Sequence, residues 1–139
     1  MKIERFYAQQ HGDERGQLVA LEEGKEIPFA IKRVYYIYGT GEGVERGFHA
    51  HKELKQLLIC VHGSCIITLD DGKEKENVVL DKPYEGIFIQ SNIWRVMSNF
   101  SPDAVLLVLA SEIYNEADYI RDYNVFLEYV NNNQDVENE

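Results

Sequence analysis

The middle of the chain is a succession of short segments rich in β-branched and aromatic residues, at 31–38, 56–61, 65–69, 78–80, 86–90, 95–98 and 105–110. Glycine-bearing turn signals stand between them: Gly39-Thr40-Gly41-Glu42-Gly43, Asp70-Asp71-Gly72-Lys73 and Lys82-Pro83-Tyr84-Glu85-Gly86. Segments this short, bounded by such turns, read as strands. No long helical pattern is interleaved among them, which favours an all-β sandwich or barrel over a βαβ architecture. The clearest hairpin spans 69–73, where Asp71-Gly72 suits the positive dihedrals of a tight turn.

The C-terminal part changes period. Tyr119, Tyr123, Phe126, Leu127 and Val130 recur every three to four residues, the spacing of one helical face. Asn115, followed by Glu116 and Asp118, offers that helix an N-terminal cap. One short C-terminal helix packed on the β body is expected. Beyond about residue 131 the Asn131-Asn132-Asn133-Gln134 run and the acidic end carry no apolar stripe, and a disordered tail is expected there.

A length of 139 residues suits a single domain, 1–139, able to bury its own core. With 45% apolar and 27% charged residues the chain lies well away from the disordered class. A net charge of −10 argues against a broad basic surface for nucleic acid or anionic membrane, so an anionic ligand would need arginines that converge locally. Met1-Lys2-Ile3-Glu4-Arg5 does not read as a signal peptide and no stretch is apolar for the length of a bilayer, so a cytoplasmic location is expected. Cys60 and Cys65 are too few for a disulfide framework or a thiolate zinc site and read as small core residues.

The chemistry concentrates in Arg46-Gly47-Phe48-His49-Ala50-His51-Lys52. On an extended strand alternate residues face the same way, so His49 and His51 project together while Phe48 and Ala50 face the other side. Histidine is the side chain whose ordinary pKa, about 6.5, suits proton transfer near neutrality. Reading outward, Gly43, His49, His51, Gln56 and Gly63 follow with five, one, four and six residues between them. That spacing resembles the first motif of the cupin superfamily, in which two histidines and a glutamate at the Gln56 position line the mouth of a double-sheet jelly roll, also called a double-stranded β-helix. Pro83-Tyr84-Glu85-Gly86 fits the frame of the second cupin motif, but Ile89 stands where its histidine would fall. Two imidazoles without a carboxylate or a third histidine hold a divalent ion poorly, so neither a metal nor any other cofactor is expected.

The chain also resembles, over nearly its whole length, the cupin-type sugar 3,4-ketoisomerases that act on dTDP-4-keto-6-deoxyglucose. The likeness runs from Arg15-Gly16-Gln17-Leu18 through Ile27-Pro28-Phe29, Lys32-Arg33-Val34-Tyr35-Tyr36-Ile37, the histidine stretch, Gly63-Ser64-Cys65 and Val108-Leu109-Ala110-Ser111 to Tyr119-Ile120-Arg121. It implies a jelly-roll subunit, a homodimer with exchanged strands, and a dTDP-linked 4-keto-6-deoxyhexose substrate whose 3-keto product goes to an aminotransferase for surface polysaccharide or glycoprotein synthesis. It makes His49 the base at C3, His51 its neighbour and Tyr35 a further proton donor. Strand parity alone leaves open whether Tyr35 or the Tyr36 and Tyr38 face lines the pocket; the resemblance favours Tyr35. Arg15, Arg33, Arg46 and Arg95 are the candidate diphosphate partners, their forked donors matching phosphate oxygens. Gln56 joins them in the pocket, and Trp94 is a candidate to stack on the base or shape the sugar site, with simple core filling the alternative. Some relatives carry histidine where this chain has Arg95, so the C4 configuration of the product stays open.

Other readings of the same residues are a nucleotide-sugar 3,5-epimerase, a sugar-binding cupin without chemistry and, given the missing ligands, a weakly supported cupin dioxygenase.

Overall fold

The computed structural model describes residues 1–137, with side chains through residue 133. Its body is formed by β1 (Glu4–Tyr7), β4 (Arg33–Tyr38), β5 (Arg46–His51), β6 (Gln56–His62), β7 (Cys65–Asp70), β8 (Lys75–Leu80), β9 (Glu85–Ile89), β10 (Trp94–Ser98), β11 (Val105–Ala110) and β12 (Tyr119–Ile120). They form two five-stranded sheets ordered β1-β9-β6-β11-β4 and β12-β5-β10-β7-β8. From β4 onward the chain steps back and forth between the sheets, doubling back within one sheet only at the β7–β8 hairpin. This crossing makes the double-sheet jelly roll of the cupin fold. A two-stranded hairpin of β2 (His11–Asp13) and β3 (Gly16–Leu18) stands apart from both sheets.

Alternation along each strand decides which residues enter the space between the sheets. The inner faces supply Leu58 and Cys60 from β6, Ile67 and Leu69 from β7, Ile87 and Ile89 from β9, Met97 from β10, and Leu106 and Val108 from β11, all in one buried cluster. Gln56 to Cys60 are buried on both faces, because the segment carrying Leu21, Ile27, Phe29 and Ile31 covers the outer side of that sheet. This explains a sequence that is continuously apolar rather than alternating. Cys60 and Cys65 are free, buried thiols, as expected of core residues.

The 69–73 hairpin is present with a loop of four residues, since Asp70 pairs with Lys75. Asp71 Oδ1 accepts from the Lys73 and Glu74 N–H groups, and Gly72 takes a φ of +95°. The C-terminal helix α1 (Tyr123–Glu137) begins later than its apolar spacing suggested. Tyr119 is in a strand, Asn115 caps only a 3-10 turn at Glu116–Asp118, and Asp122 caps α1 by accepting from Val125 N–H at 3.0 Å. The segment beyond about residue 131, expected as a disordered tail, is described through Glu137 as the end of α1. Residues 138–139 of that expectation lie outside the described residues. Phe126 and Val130 pin the helix on Ala50, Trp94 and Ile120, the outer face of the second sheet.

Candidate active site

Around His49 and His51 the inner layer is polar. β4 alternates half-buried and exposed positions, placing Arg33, Tyr35 and Ile37 toward the interior and Val34, Tyr36 and Tyr38 outward, which settles the tyrosine question in favour of Tyr35. His49 lies opposite Arg95 on β10, and His51 opposite Tyr119 on β12. The imidazole rings are 4.9 Å apart, and Tyr119 packs against both at 5.0 and 4.3 Å. His51 is fully buried and His49 half-buried, so His49 is the one a ligand can reach.

A second chain of contacts crosses behind the histidines. Arg95, fully buried, donates to Gln56 Oε1 at 2.5 Å and to the Ile93 carbonyl at 2.9 Å, while Gln56 Nε2 donates to the Tyr35 hydroxyl at 3.0 Å. Because the Tyr35 oxygen accepts from Gln56, its own O–H is free to donate elsewhere. Burial pushes the Tyr35 phenol up from its ordinary value, keeping that proton in place at neutral pH. Burial first and the Arg95 charge second push His49 down to about 4 and His51 down to about 2, so both are neutral bases. Arg95 itself, lowered by burial to about 10, keeps its charge.

His49 Nδ1 and His51 Nε2 are buried and have no hydrogen-bond partner. A buried polar atom left unpaired costs about 1–3 kcal/mol. Among the described residues no group of three or more His, Cys, Asp or Glu side chains could hold a metal ion. The positions of the cupin ligands are taken by Gln56 and Ile89, which pair with each other across β6 and β9. The donor set therefore does not fit a metal.

The arginines divide. Arg33 lies over the Tyr35 ring at 4.6 Å and the Tyr114 ring at 5.4 Å. Arg46 is exposed at the start of β5, opposite the inward-facing Met97. Arg15 is not brought to the histidines: it pairs with Asp13 at 2.7 Å on the exposed β2–β3 hairpin. Trp94 also stands apart, on the opposite face of β10 from Arg95, packed against Tyr123 at 5.2 Å and Phe126 at 5.7 Å beneath α1. Strand parity from Arg95 would have predicted this. Two site residues escaped the sequence reading. Tyr119 was hidden by its fit to the helical period, and Arg121, over the Tyr119 ring at 4.3 Å and paired with Glu116 at 2.6 Å, lies beyond the strands that carry the motif.

A double-sheet jelly roll that carries these imidazoles, a phenol and a buried guanidinium on its inner layer, with no group of three metal-ligating side chains among the described residues, is a cupin. A family model described as "FdtA: WxcM-like, C-terminal" matches residues 1–131, and the chain belongs to that family. It is 52% identical over 118 residues to a TDP-4-oxo-6-deoxy-alpha-D-glucose-3,4-oxoisomerase from Aneurinibacillus thermoaerophilus, covering 85% of each chain. The crystal structure of a 3,4-ketoisomerase from Helicobacter canadensis superposes with a TM-score of 0.91 at 53% identity, covering 94% of this chain and 98% of that one. A sugar 3,4-ketoisomerase from Thermoanaerobacterium thermosaccharolyticum, crystallised with TDP, superposes with a TM-score of 0.92 at 40% identity over 94% of this chain and 96% of that one.

Proposed function

We propose that this chain is an isomerase that converts dTDP-4-keto-6-deoxyglucose to a dTDP-3-keto-6-deoxyhexose. The observation that carries this reading is the pair of buried imidazole nitrogens without partners, both neutral, in the same layer as a phenol that keeps its proton. His49 takes the proton from C3 while Tyr35 protonates the C4 carbonyl oxygen, giving an enediol. Tyr35 recovers its proton from the C3 hydroxyl as the His49 imidazolium gives a proton to C4. C3 is oxidised and C4 reduced within one molecule, so the atoms balance without a redox partner. Arg95, whose charge acts on His49, is a fixed cation in the same layer that favours the negative charge building on the C4 oxygen as Tyr35 protonates it. The same charge opposes a divalent ion and supports a metal-free reaction.

Arg33 and Arg46 are the candidates to hold the diphosphate, and Arg121 is a third cation on the same rim. His49→Asn tests the assignment. It is expected to abolish turnover while TDP binding by calorimetry stays within about threefold; turnover at wild-type rate would sink the role given to His49.

The reading extends to a homodimer with exchanged strands working in the cytoplasm. Supporting it, β2 and β3 pair only with each other and every residue from His11 to Leu18 is exposed, while Val34, Tyr36 and Tyr38 leave an apolar stripe open on the edge strand β4. An exchanged hairpin would carry Arg15 to the partner's site. Light scattering at micromolar concentration should give twice the chain mass of 16.1 kDa, and a monomer would contradict the exchange. No described helix is long and apolar enough to cross a membrane.

A further inference from the structure

We propose that Asp118 is a positioning residue for the reaction, holding His51 in the tautomer protonated at Nδ1 so that Nε2 presents a bare lone pair inside the barrel. The catalytic consequence rests on the isomerase reading; the tautomer itself does not.

The carboxylate ends the 3-10 turn Glu116–Asp118, next to β12. Its Oδ2 lies 3.3 Å from His51 Nδ1 and accepts from Leu54 N–H at 3.3 Å, and its Oδ1 accepts from Glu53 N–H at 2.8 Å. The Asp118 carbonyl also accepts from Lys52 N–H at 3.0 Å. One acidic residue thus gathers the three backbone N–H groups that follow β5 and the ring of the residue that ends it. A carboxylate only accepts, so in this contact the hydrogen sits on Nδ1 of His51. With Nδ1 so assigned, Nε2 is unprotonated, and it is also the nitrogen that is buried without a partner. The ring stands 4.9 Å from His49, close enough for the orientation of one imidazole to constrain the other. Asp118 also lines a cavity of about 430 Å³ shared with Glu53, Leu54, Glu112, Ile113 and Tyr114, which neither histidine borders. The carboxylate therefore forms part of the wall between that cavity and the histidine layer.

Asp118→Asn is the informative change. Its single remaining oxygen stays on the shorter contact, Glu53 N–H at 2.8 Å, and the longer one from Leu54 N–H at 3.3 Å is given up, so its NH₂ group faces His51 and donates to Nδ1, moving the ring hydrogen to Nε2. Ring-nitrogen NMR of ¹⁵N-histidine protein, recorded without substrate, should find His51 protonated at Nδ1 in the wild type and at Nε2 in the variant. Turnover should fall about 10²-fold, the usual scale for losing a correctly poised acid/base group, with KM within about threefold. Should the variant fail to fold, the wild-type spectrum still decides, because a hydrogen on Nε2 there would overturn the proposal. An Asp118→Asn enzyme with wild-type kcat would overturn it as well. A wild type that shows the Nδ1–H tautomer but does not act on any dTDP-4-ketosugar would instead remove the isomerase reading.

Discussion

Arg46 and His49 face the same side of β5 although two residues stand between them. Simple alternation would put them on opposite faces, but across β10 the register runs Arg95 to His49, Val96 to Gly47 and Met97 to Arg46, leaving Phe48 as the extra residue of a bulge. Gly47 and Phe48 both take positive φ, +95° and +57°, as the kink requires. β12 pairs only with Ala50 and His51, so among the described residues Arg46 to His49 lie along an open stretch of the sheet edge.

The bulge gives the first prediction. A Cβ at Gly47 would meet the Arg95 carbonyl at 2.9 Å in a conformation that favours glycine. Gly47→Ala should cost about 1–3 kcal/mol in a thermal melt and raise KM more than it lowers kcat, since it moves Arg46 relative to His49. Unchanged kinetics would mean that the bulge does not set the substrate's position.

Tyr35→Phe removes the proton donor and keeps the ring. Turnover should drop by about 10²-fold or more, with nucleotide affinity nearly unchanged. Gln56 Nε2 loses its acceptor, so the melting temperature should fall by the equivalent of about 1 kcal/mol. A loss of affinity equal to the loss of turnover would assign the phenol to binding.

The histidine pKa values fix the sign of the pH dependence. His49 titrates near 4 and His51 near 2 when folded, below the ordinary 6.5, so the unfolded chain binds more protons through this window. Stability contributed by the pair is present above about pH 6.5 and is lost as pH falls, first toward 4 for His49 and further toward 2 for His51. The acid limb of kcat/KM should have its midpoint near 4. Arg95→Met removes a charge that depresses both groups and should move that midpoint upward; a midpoint that stays put would show that burial alone sets it.

Trp94 lies beneath α1, away from the sugar site. Trp94→Ala should cost about 3–5 kcal/mol, and Trp94→Phe should retain kcat and KM at 25 °C within about twofold. A selective rise in KM for Trp94→Phe would return this residue to the pocket.

The fold was legible wherever apolar residues alternate or fill a doubly covered strand, which is why the segments from residue 31 to residue 110 correspond to strands within a few residues at each end. β1 and the β2–β3 hairpin carry no such pattern: Glu4–Tyr7 has one buried residue, and His11–Leu18 has none. His49 and His51 could be read from strand parity and motif spacing together, whereas Arg33 and Tyr35 came from the family resemblance, because parity alone left the face of β4 open. Arg95 and Gln56 were found by position, but their link to each other and to Tyr35 depends on strands distant in sequence. Of the two readings of Trp94, the packing with Phe126 matches core filling, since one residue's distance from Arg95 on a strand means the opposite face. Asp118 was legible only as a helix cap, since its partner His51 is 67 residues away.

Proton NMR of dTDP-4-keto-6-deoxyglucose with chelator-treated enzyme in deuterated water tests the central claim most directly. The account predicts a 3-keto product with deuterium at C4, formed at the rate of untreated enzyme, no deuterium at C5, and no reaction with His49→Asn. Deuterium appearing at C5, or activity lost on chelation and restored by a divalent ion, would contradict it.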